Sequence, residues 1–178
     1  KFYQFWINTS DEDAKKFIKI FSLKEKKEIE SLIQQHEIEP HKRVLQNILA
    51  DEITEIVHDK SSLDVAKSTS IILFGKSTKE DFDNLKEIEM ESLSTAVPCV
   101  NIKRESLHFD LKTVLSEKSN FEIFSSKSDV SRMIKNNGLI INKEKVSSED
   151  YDLIKNLKYN KYLLLQKGKK NYTFIIVE

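Results

Sequence analysis

Two groups of basic residues in the last third of the chain have the chemistry needed to bind phosphate groups. Lys127, Arg132 and Lys135 fall on one predicted helix, with Lys127 near its amino end, and Lys169 and Lys170 fall in a predicted hairpin. Lysine and arginine side chains neutralise phosphates, and the amino end of a helix adds oriented N–H donors. The pattern therefore predicts a site for a phosphate-bearing ligand.

An aromatic residue follows the second basic group. Tyr172 comes shortly after Lys170, and a tyrosine ring beside cations is able to stack on a base or a ribose. The competing interpretation is a solvated, lysine-rich surface on which Tyr172 is partly packed. Both interpretations stay open from these residues alone.

Charge is distributed unevenly along the chain, although the formal net charge is zero. Residues 1–120 contain 18 Lys and Arg against 22 Asp and Glu, whereas residues 121–178 contain 11 against 7. A basic carboxy-terminal part behind an acidic front favours a polyanionic partner for the basic part.

Motifs for nucleotide binding or acid–base catalysis are weak. The segment Gly75–Ser77 resembles the end of a phosphate-binding P-loop, but that motif needs a glycine where Ser70 stands. Asp11 and Asp13 are near enough in sequence to form an acid–base pair, yet a position in the first turn of a predicted helix explains them without catalysis. No active site is predicted.

Cysteine and histidine residues form no metal-binding pattern. Cys99, the one cysteine, leaves no internal disulfide, and its apolar surroundings predict a buried, unreactive thiol. The four histidines lack the spacing of metal ligands. The lack of a possible internal disulfide fits a reducing cytoplasm. No apolar run approaches the roughly 20 residues of a membrane-spanning helix, so we expect a cytoplasmic protein with no membrane association.

Helical periodicity dominates residues 1–95, as in the apolar series Ala14, Phe17, Ile18 and Phe21. Residues that typically begin or end helices support this prediction. They are predicted N-caps at Ser10 and Ser22, a first-turn proline at Pro40, a terminating glycine at Gly75, and a last helix after Ser77 with the inward residues Phe82, Leu85 and Ile88.

Short strands mixed with helices are predicted from about residue 97. A helix is expected from the N-cap Ser126 to Gly138, and strands are expected over 97–102, 139–141, 162–166 and 172–177. The last two form a hairpin. The fold class predicted is therefore α+β, with an N-terminal helical bundle followed by a small α+β module.

Four blocks of sequence follow one another along the chain: Phe2–Thr9, Lys42–His58, Ser126–Val146 and Gly168–Tyr172. In this order they resemble the carboxy-terminal part of bacterial tyrosyl-tRNA synthetases. The third block resembles the S-four-type RNA-binding module, which ribosomal proteins and rRNA-modifying enzymes also contain, so the order of all four blocks is what identifies the family. The sequence departs from the family pattern at Asp59 and Lys143, where glycine is usual.

The resemblance implies a helical anticodon-binding domain over residues 1–95 and an S-four-type RNA-binding domain over residues 97–178. It implies tRNA(Tyr) as the partner, positioned through its anticodon stem-loop and variable arm for tyrosylation by a catalytic domain. RNA contacts are then expected from Lys127, Arg132, Lys135, Lys169, Lys170 and Tyr172, and Asp11 is expected to read an anticodon base through its carboxylate.

The family's catalytic signatures, His-Ile-Gly-His and Lys-Met-Ser-Lys-Ser, do not occur in the chain, which begins at Lys1. We therefore expect a fragment that is inactive by itself and binds no cofactor. The resemblance implies that the longer protein uses ATP with Mg²⁺ and tyrosine. It also implies that the fragment is monomeric and that the longer protein forms a homodimer through its catalytic domain.

Two other classes of protein stay open. The S-four-type block alone permits an RNA-binding module of an rRNA-modifying or ribosome-associated protein, although the helical front argues against it. The other class is a helical protein-interaction module with no role in RNA binding.

Overall fold

The computed structural model describes residues 1–169 and 171–178. The chain divides into two compact units, Lys1–Ser70 and Ile71–Glu178. Described residues of the first unit form helices, and those of the second form a sheet with helices, so the predicted α+β class with a helical front is confirmed. The predicted RNA contact Lys170 lies outside the described residues.

The first unit is built around the helix over residues 44–57, against which three other helices pack. Its elements are α1 (Phe2–Ile7), α2 (Asp11–Phe21), α3 (Lys26–Ile38), a 3-10 turn (Pro40–Lys42), α4 (Val44–Val57) and most of α5 (Lys60–Phe74). Leu45, Leu49 and Ala50 of α4 are fully buried in the core that α1, α2 and α3 complete. No helix of the described residues has both the length and the apolarity required to cross a membrane.

The two serine N-caps predicted in this unit have different outcomes. Ser10 is confirmed, because its Oγ accepts a hydrogen bond from Asp13 N at 3.1 Å at the start of α2. The prediction for Ser22 is wrong. Helix α3 begins at Lys26, and Ser22 Oγ instead donates a hydrogen bond to Glu52 at 2.7 Å.

Pro40 begins a separate 3-10 turn and not a long helix. Arg43 follows with a φ of 52°, a left-handed conformation that ends this turn before α4 starts. The Arg43 guanidinium donates to the carbonyl oxygens of Ile7 at 2.7 Å and Thr9 at 3.0 Å. Arg43 thereby connects the start of α4 to the segment between α1 and α2.

The second unit contains one five-stranded sheet in the order β1-β5-β4-β2-β3. Strand β1 runs parallel to β5, and the other neighbours are antiparallel, including the predicted hairpin of β4 and β5. The elements are α6 (Lys79–Asp83), α7 (Glu87–Ala96), β1 (Cys99–Ile102), a 3-10 helix (Arg104–His108), α8 (Leu111–Leu115), α9 (Lys127–Lys135), β2 (Leu139–Ile141), β3 (Glu144–Lys145), β4 (Tyr162–Lys167) and β5 (Asn171–Val177).

Both faces of this sheet are buried. Because side chains alternate along a strand, Leu163 and Leu165 of β4 enter a core with α8 and α9, while Tyr162 and Leu164 enter another with α6 and α7. Helices α6 and α7 therefore pack with the sheet in the second compact unit. The predicted domain division at residues 95–97 stays a prediction.

The single helix predicted after residue 77 is divided into α6 and α7. Thr78 caps α6 and exchanges hydrogen bonds with Asp81, as a capping box does. Phe82 and Leu85 are buried as predicted, but Ile88 is 57% exposed. The prediction for Ile88 is wrong because one helical periodicity does not continue across the break between the two helices.

The turn between β2 and β3 contains two consecutive left-handed residues, Asn142 with a φ of 50° and Lys143 with a φ of 66°. Glycine is favoured at such positions, so this turn tolerates a side chain where the family usually has glycine. Asn142 Nδ2 donates to Asn156 O at 2.6 Å, and its Oδ1 accepts from Leu164 N at 2.9 Å. These bonds connect the turn to β4.

Replacing Asn142 by alanine is expected to lower the free energy of unfolding by about 2–4 kcal/mol, because a buried N–H loses its acceptor and alanine keeps an unfavourable φ. Urea unfolding followed by circular dichroism measures the change. Asn137 is a matched control, since it has a φ of 52° and an exposed side chain. Asn137→Ala is expected to cost about 1 kcal/mol or less, and equal losses at both positions would contradict the prediction.

Candidate nucleic-acid interface

Helix α9 carries three of the predicted cations, and they differ in whether a carboxylate is already paired with them. Lys127 forms an ion pair with Glu117 at 3.1 Å, and Arg132 forms one with Asp129. Lys135 is exposed and has no ion pair within the described part of the chain. Lys135 is therefore available to an anion without loss of an ion pair, although its charge already helps to lower the pKa of Glu149, whereas the other two are already paired.

A shallow groove of about 340 Å³ brings these three side chains together, and it is termed the helix groove. Lys112 of α8, Ser128 and Ser131 complete its lining. Lys112 is paired with Glu149 at 2.6 Å, and Ser131 Oγ donates to the same carboxylate at 2.6 Å. Cations and hydroxyl groups of this kind suit the oxygens of a phosphate backbone.

A second open groove, of about 790 Å³, lies between α9, the segment 121–125 and the β4–β5 hairpin, and it is termed the hairpin groove. Arg132 lines this groove as well, together with Lys167 and Lys169. Lys167 Nζ donates to a carbonyl of the segment 121–125 and lies 5.0 Å from the ring centroid of Phe124. Lys169 is exposed and, among the described residues, unpaired. The structure thus brings Arg132 and Lys169 to one groove.

Gln166 stabilises the hairpin turn that carries Lys169. Its Nε2 donates to the carbonyl oxygens of Gly168 at 2.9 Å and Lys169 at 3.2 Å. Gly168 has a φ of 65°, and no atom lies within 4 Å of the place where a Cβ would be. The glycine is therefore favoured by the backbone conformation of the turn and not by lack of space.

Tyr172 lies in different surroundings from Lys169. It is half-buried on the sheet face that packs with α6 and α7, and it is absent from the described lining of either groove. Lys143 Nζ donates to its hydroxyl at 2.9 Å and lies 4.7 Å from its ring centroid. Burial raises the pKa of Tyr172 and lowers the pKa of Lys143. An RNA contact through Tyr172 stays a prediction, and the structure does not pair it with Lys169.

Two buried side chains lie against the carboxylate of Asp11 in the first unit, and one of them holds it by a hydrogen bond. Its Oδ1 accepts a hydrogen bond from Gln46 Nε2 at 2.7 Å. His36 Nε2 lies 3.1 Å from the same oxygen, in a geometry that is poor for a hydrogen bond. Gln46 also donates to Thr9 O at 3.3 Å. The Asp11 side chain remains 49% exposed, so a carboxylate held from the protein side is open to a ligand.

The hydrogen bond from Gln46 is the main reason that the pKa of Asp11 is lowered. Partial desolvation opposes this effect, while His36 and Arg43 act in the same direction as Gln46. A carboxylate that stays ionised accepts hydrogen bonds only. Its chemistry matches the N–H donors on the edge of an unpaired base.

Sequence reasoning did not identify Gln46 or His36. Both continue apolar helical series, since His36 follows Ile29 and Ile33 in α3 and Gln46 precedes Leu49 in α4. A polar residue within an apolar face was the available signal. The partner of each side chain lies on another helix, which the sequence pattern does not show.

Cys99 is exposed in the edge strand β1, so the prediction that it is buried is wrong. Partial desolvation nevertheless raises the pKa of the thiol, which keeps it protonated and weakly nucleophilic. Within the described ranges, no group of His, Cys, Asp and Glu side chains is arranged to hold a metal ion.

Two protein-family models match successive parts of the chain. Residues 1–75 match the family described as tRNA synthetases class I (W and Y). Residues 89–175 match the tyrosine–tRNA ligase SYY-like C-terminal domain. Helices α1 to α4 lie in the first match, and both grooves lie on elements of the second.

Curated tyrosine–tRNA ligases are similar to the chain over nearly its whole length. That of Cytophaga hutchinsonii is 43% identical over 174 residues, which cover 97% of this chain and 41% of the relative. That of Flavobacterium johnsoniae is 44% identical, covering 99% and 41%, and that of Bacteroides thetaiotaomicron is 40% identical, covering 100% and 42%. The chain therefore spans about two fifths of the length of these relatives.

The first family match relates the helical unit to the class I tRNA synthetases. The match of residues 89–175 and the similar curated proteins narrow the class of synthetase to those for tyrosine. The chain belongs to the tyrosine–tRNA ligase family and corresponds to its C-terminal part, which confirms the resemblance of the four sequence blocks.

Replacing Gln46 by methionine, a side chain of similar length without the amide, is expected to raise the pKa of Asp11 towards its ordinary value. Because the folded-state pKa of Asp11 is lowered, the ionised carboxylate stabilises the fold above the unfolded-state pKa, roughly 4. That contribution is lost as the pH falls through the folded-state pKa. The variant should therefore show a weaker loss of stability on acidification.

NMR titration of the Asp11 carboxyl carbon measures this pKa directly. Asn47→Met is the control, since Asn47 is the next residue of α4 and is exposed. Its side-chain amide donates only to the Lys42 carbonyl among the described residues, at 3.3 Å. The control should leave the pKa of Asp11 unchanged. An unchanged pKa in Gln46→Met as well would contradict the role assigned to the Gln46 hydrogen bond.

Proposed function

We propose that this chain is the tRNA-binding part of a tyrosine–tRNA ligase. It positions tRNA(Tyr) through the anticodon stem-loop and the variable arm while a catalytic domain elsewhere in the longer protein joins tyrosine to the tRNA. That domain would use ATP, with Mg²⁺ as its metal ion. The proposal places the protein in the cytoplasm, where translation takes place.

The observation that carries the proposal is the location of unpaired cations on the part of the chain that matches the ligase C-terminal domain. Lys135 and Lys169 are exposed and unpaired among the described residues, and Arg132 lines the grooves of both. Phosphate contacts of this kind set the register of a nucleic acid without reading its sequence. The second unit is therefore assigned to the RNA backbone.

Asp11 is assigned to reading a base in the anticodon. Its carboxylate is oriented by Gln46 and is half exposed. Unpaired loop bases present N–H groups on their edges, which a carboxylate accepts. This role adds selectivity to the affinity that the cations provide.

The other two classes of function have less support. A module of an rRNA-modifying or ribosome-associated protein does not explain the match of residues 1–75 to class I tRNA synthetases. A protein-interaction module does not explain the match of residues 89–175 to the ligase C-terminal domain. We also propose that the chain by itself is monomeric and that the longer protein dimerises through its catalytic domain, which sedimentation analysis would test.

The test of the proposed function is a binding titration of the chain with tRNA(Tyr) and with a non-cognate tRNA at two salt concentrations. Tighter binding of tRNA(Tyr) that weakens with salt is the expected result. Equal affinity for both tRNAs would contradict the assignment of selectivity to this chain. Absence of binding to either tRNA would contradict RNA binding altogether and favour the protein-interaction class.

Replacing Lys135 and Lys169 together by alanine is expected to weaken tRNA binding and to lower the slope of log affinity against log salt by about 1–2 units, because up to two phosphate contacts are lost. Lys103→Ala is the control for loss of an exposed positive charge elsewhere, since Lys103 is exposed and belongs to the described lining of neither groove. It should leave the slope unchanged. A slope that stays at the wild-type value in the double variant would exclude these two lysines from the interface.

Replacing Asp11 by asparagine is expected to weaken binding of tRNA(Tyr) about 5- to 150-fold, the range for losing one base-edge contact of about 1–3 kcal/mol. Affinity for a non-cognate tRNA should change much less. Asp13→Asn is the control, because Asp13 lies in the same first turn and contacts Ser10 and Lys16. Equal weakening for both tRNAs would show that Asp11 does not read a base.

A further inference from the structure

Phe121 is an exposed aromatic residue in a strained backbone conformation. Its φ is 62°, it follows Asn120 with a φ of 51°, and its side chain is 57% exposed. Positive φ values are rare for bulky residues because the conformation is sterically unfavourable. Such outliers persist where surrounding structure enforces them, and they concentrate at binding sites.

Hydrogen bonds enforce this conformation from several directions. Phe121 N donates to Ser116 O at 2.8 Å, and Asn120 N donates to Glu117 O at 3.1 Å. The buried Ser119 hydroxyl donates to the Ser116 carbonyl at 2.9 Å. Three residues after Phe121, the backbone N–H of Phe124 donates to the Leu115 carbonyl at the end of α8 at 3.2 Å. These bonds therefore fix the backbone from which the Phe121 side chain extends before any ligand binds.

The faces of the Phe121 ring are open, unlike those of two other exposed aromatic residues in the second unit. Lys118 Nζ lies 4.2 Å from the ring centroid of Phe109, and Lys158 Nζ lies 4.9 Å from that of Tyr159. Phe121 has neither a cation nor an aromatic ring against it within the described residues. Its ring is therefore available for stacking.

The chemistry around Phe121 fits a nucleotide. The ring lines the hairpin groove, whose cations are Arg132, Lys167 and Lys169 and whose amides include Asn171. Two carboxylates, those of Glu122 and Asp129, also line the groove. The Asp129 carboxylate is already engaged by Arg132, Ser125 and Ser126, and these contacts lower its pKa. An aromatic ring beside exposed cations is the arrangement with which proteins bind an unstacked base and its phosphate.

We propose that Phe121 is a stacking platform for one unpaired base of the bound RNA, whose phosphate lies against Lys169 and Arg132 in the hairpin groove. This inference rests on the proposed function, because it assumes that the second unit meets tRNA. It goes beyond that function by assigning a base-stacking site to a residue without charge or hydrogen-bonding groups in its side chain.

The experiment compares Phe121→Asn and Phe121→Trp in the whole chain, with tRNA(Tyr) as the probe at two salt concentrations. Asparagine tolerates a positive φ but has no ring, so Phe121→Asn should remain folded, as thermal unfolding would show. Its affinity should fall about 5- to 150-fold, the range for losing one stacked base. Phe121→Trp keeps a ring and should retain affinity within about threefold.

The salt dependence separates stacking from charge. Phe121→Asn should keep the wild-type slope of log affinity against log salt, since no ionic contact is lost, whereas Lys169→Ala should lower it by about 1 unit. Phe109→Ala is the control for loss of an exposed ring and should bind as the wild type does. Wild-type affinity in Phe121→Asn would overturn this inference alone. Failure of the wild-type chain to bind tRNA would overturn the proposed function and this inference with it.

Discussion

Burial of β4 on both faces is the constraint on which the second unit depends. Its alternate side chains complete two separate cores, so helices must cover the sheet on each side. Asn142 connects to Leu164 in the middle of β4 twice, by its backbone N–H at 2.8 Å and its side-chain oxygen at 2.9 Å. Pairing with β5 continues to Lys167 opposite Asn171. A strand held this firmly positions the hairpin turn, and with it Lys169, at the groove beside α9.

Left-handed backbone conformations occur in this chain without glycine. Eight of the described non-glycine residues have positive φ, and Gly168 is the one described glycine that does. At Asn142 the side chain offsets the conformational cost by two hydrogen bonds, one to the buried Leu164 and one to the partly buried Asn156. At Phe121 the side chain makes no such bond, is more than half exposed and lines an open groove. The same backbone feature therefore has a structural explanation at one turn and a functional one at the other.

Local rules predicted the parts of the fold whose causes are local. The Ser10 and Ser126 caps, the bounds of β2 and the β4–β5 hairpin follow from residues adjacent in sequence. Contacts between distant residues were not predictable in this way. Ser22 bonds to Glu52 where a cap was expected, and Ile88 turns outward because a break precedes it. The cations were predicted from their residue types, whereas their ion pairs depend on which carboxylates the fold brings near.

Among the described residues, the predicted cations fall into two groups, those that are paired with carboxylates and those that are not. In the proposed complex, Lys127 and Arg132 would exchange carboxylate partners for phosphates. Exposed ion pairs of this kind are worth only about 0–1 kcal/mol, so the exchange would cost little. Lys135 and Lys169, which form no ion pair among the described residues, would bind phosphates in that complex without such an exchange. None of these contacts distinguishes one RNA sequence from another. Selectivity must come from groups whose positions are fixed before the RNA arrives, and the Asp11 carboxylate meets that requirement because a buried amide, that of Gln46, already holds one of its oxygens.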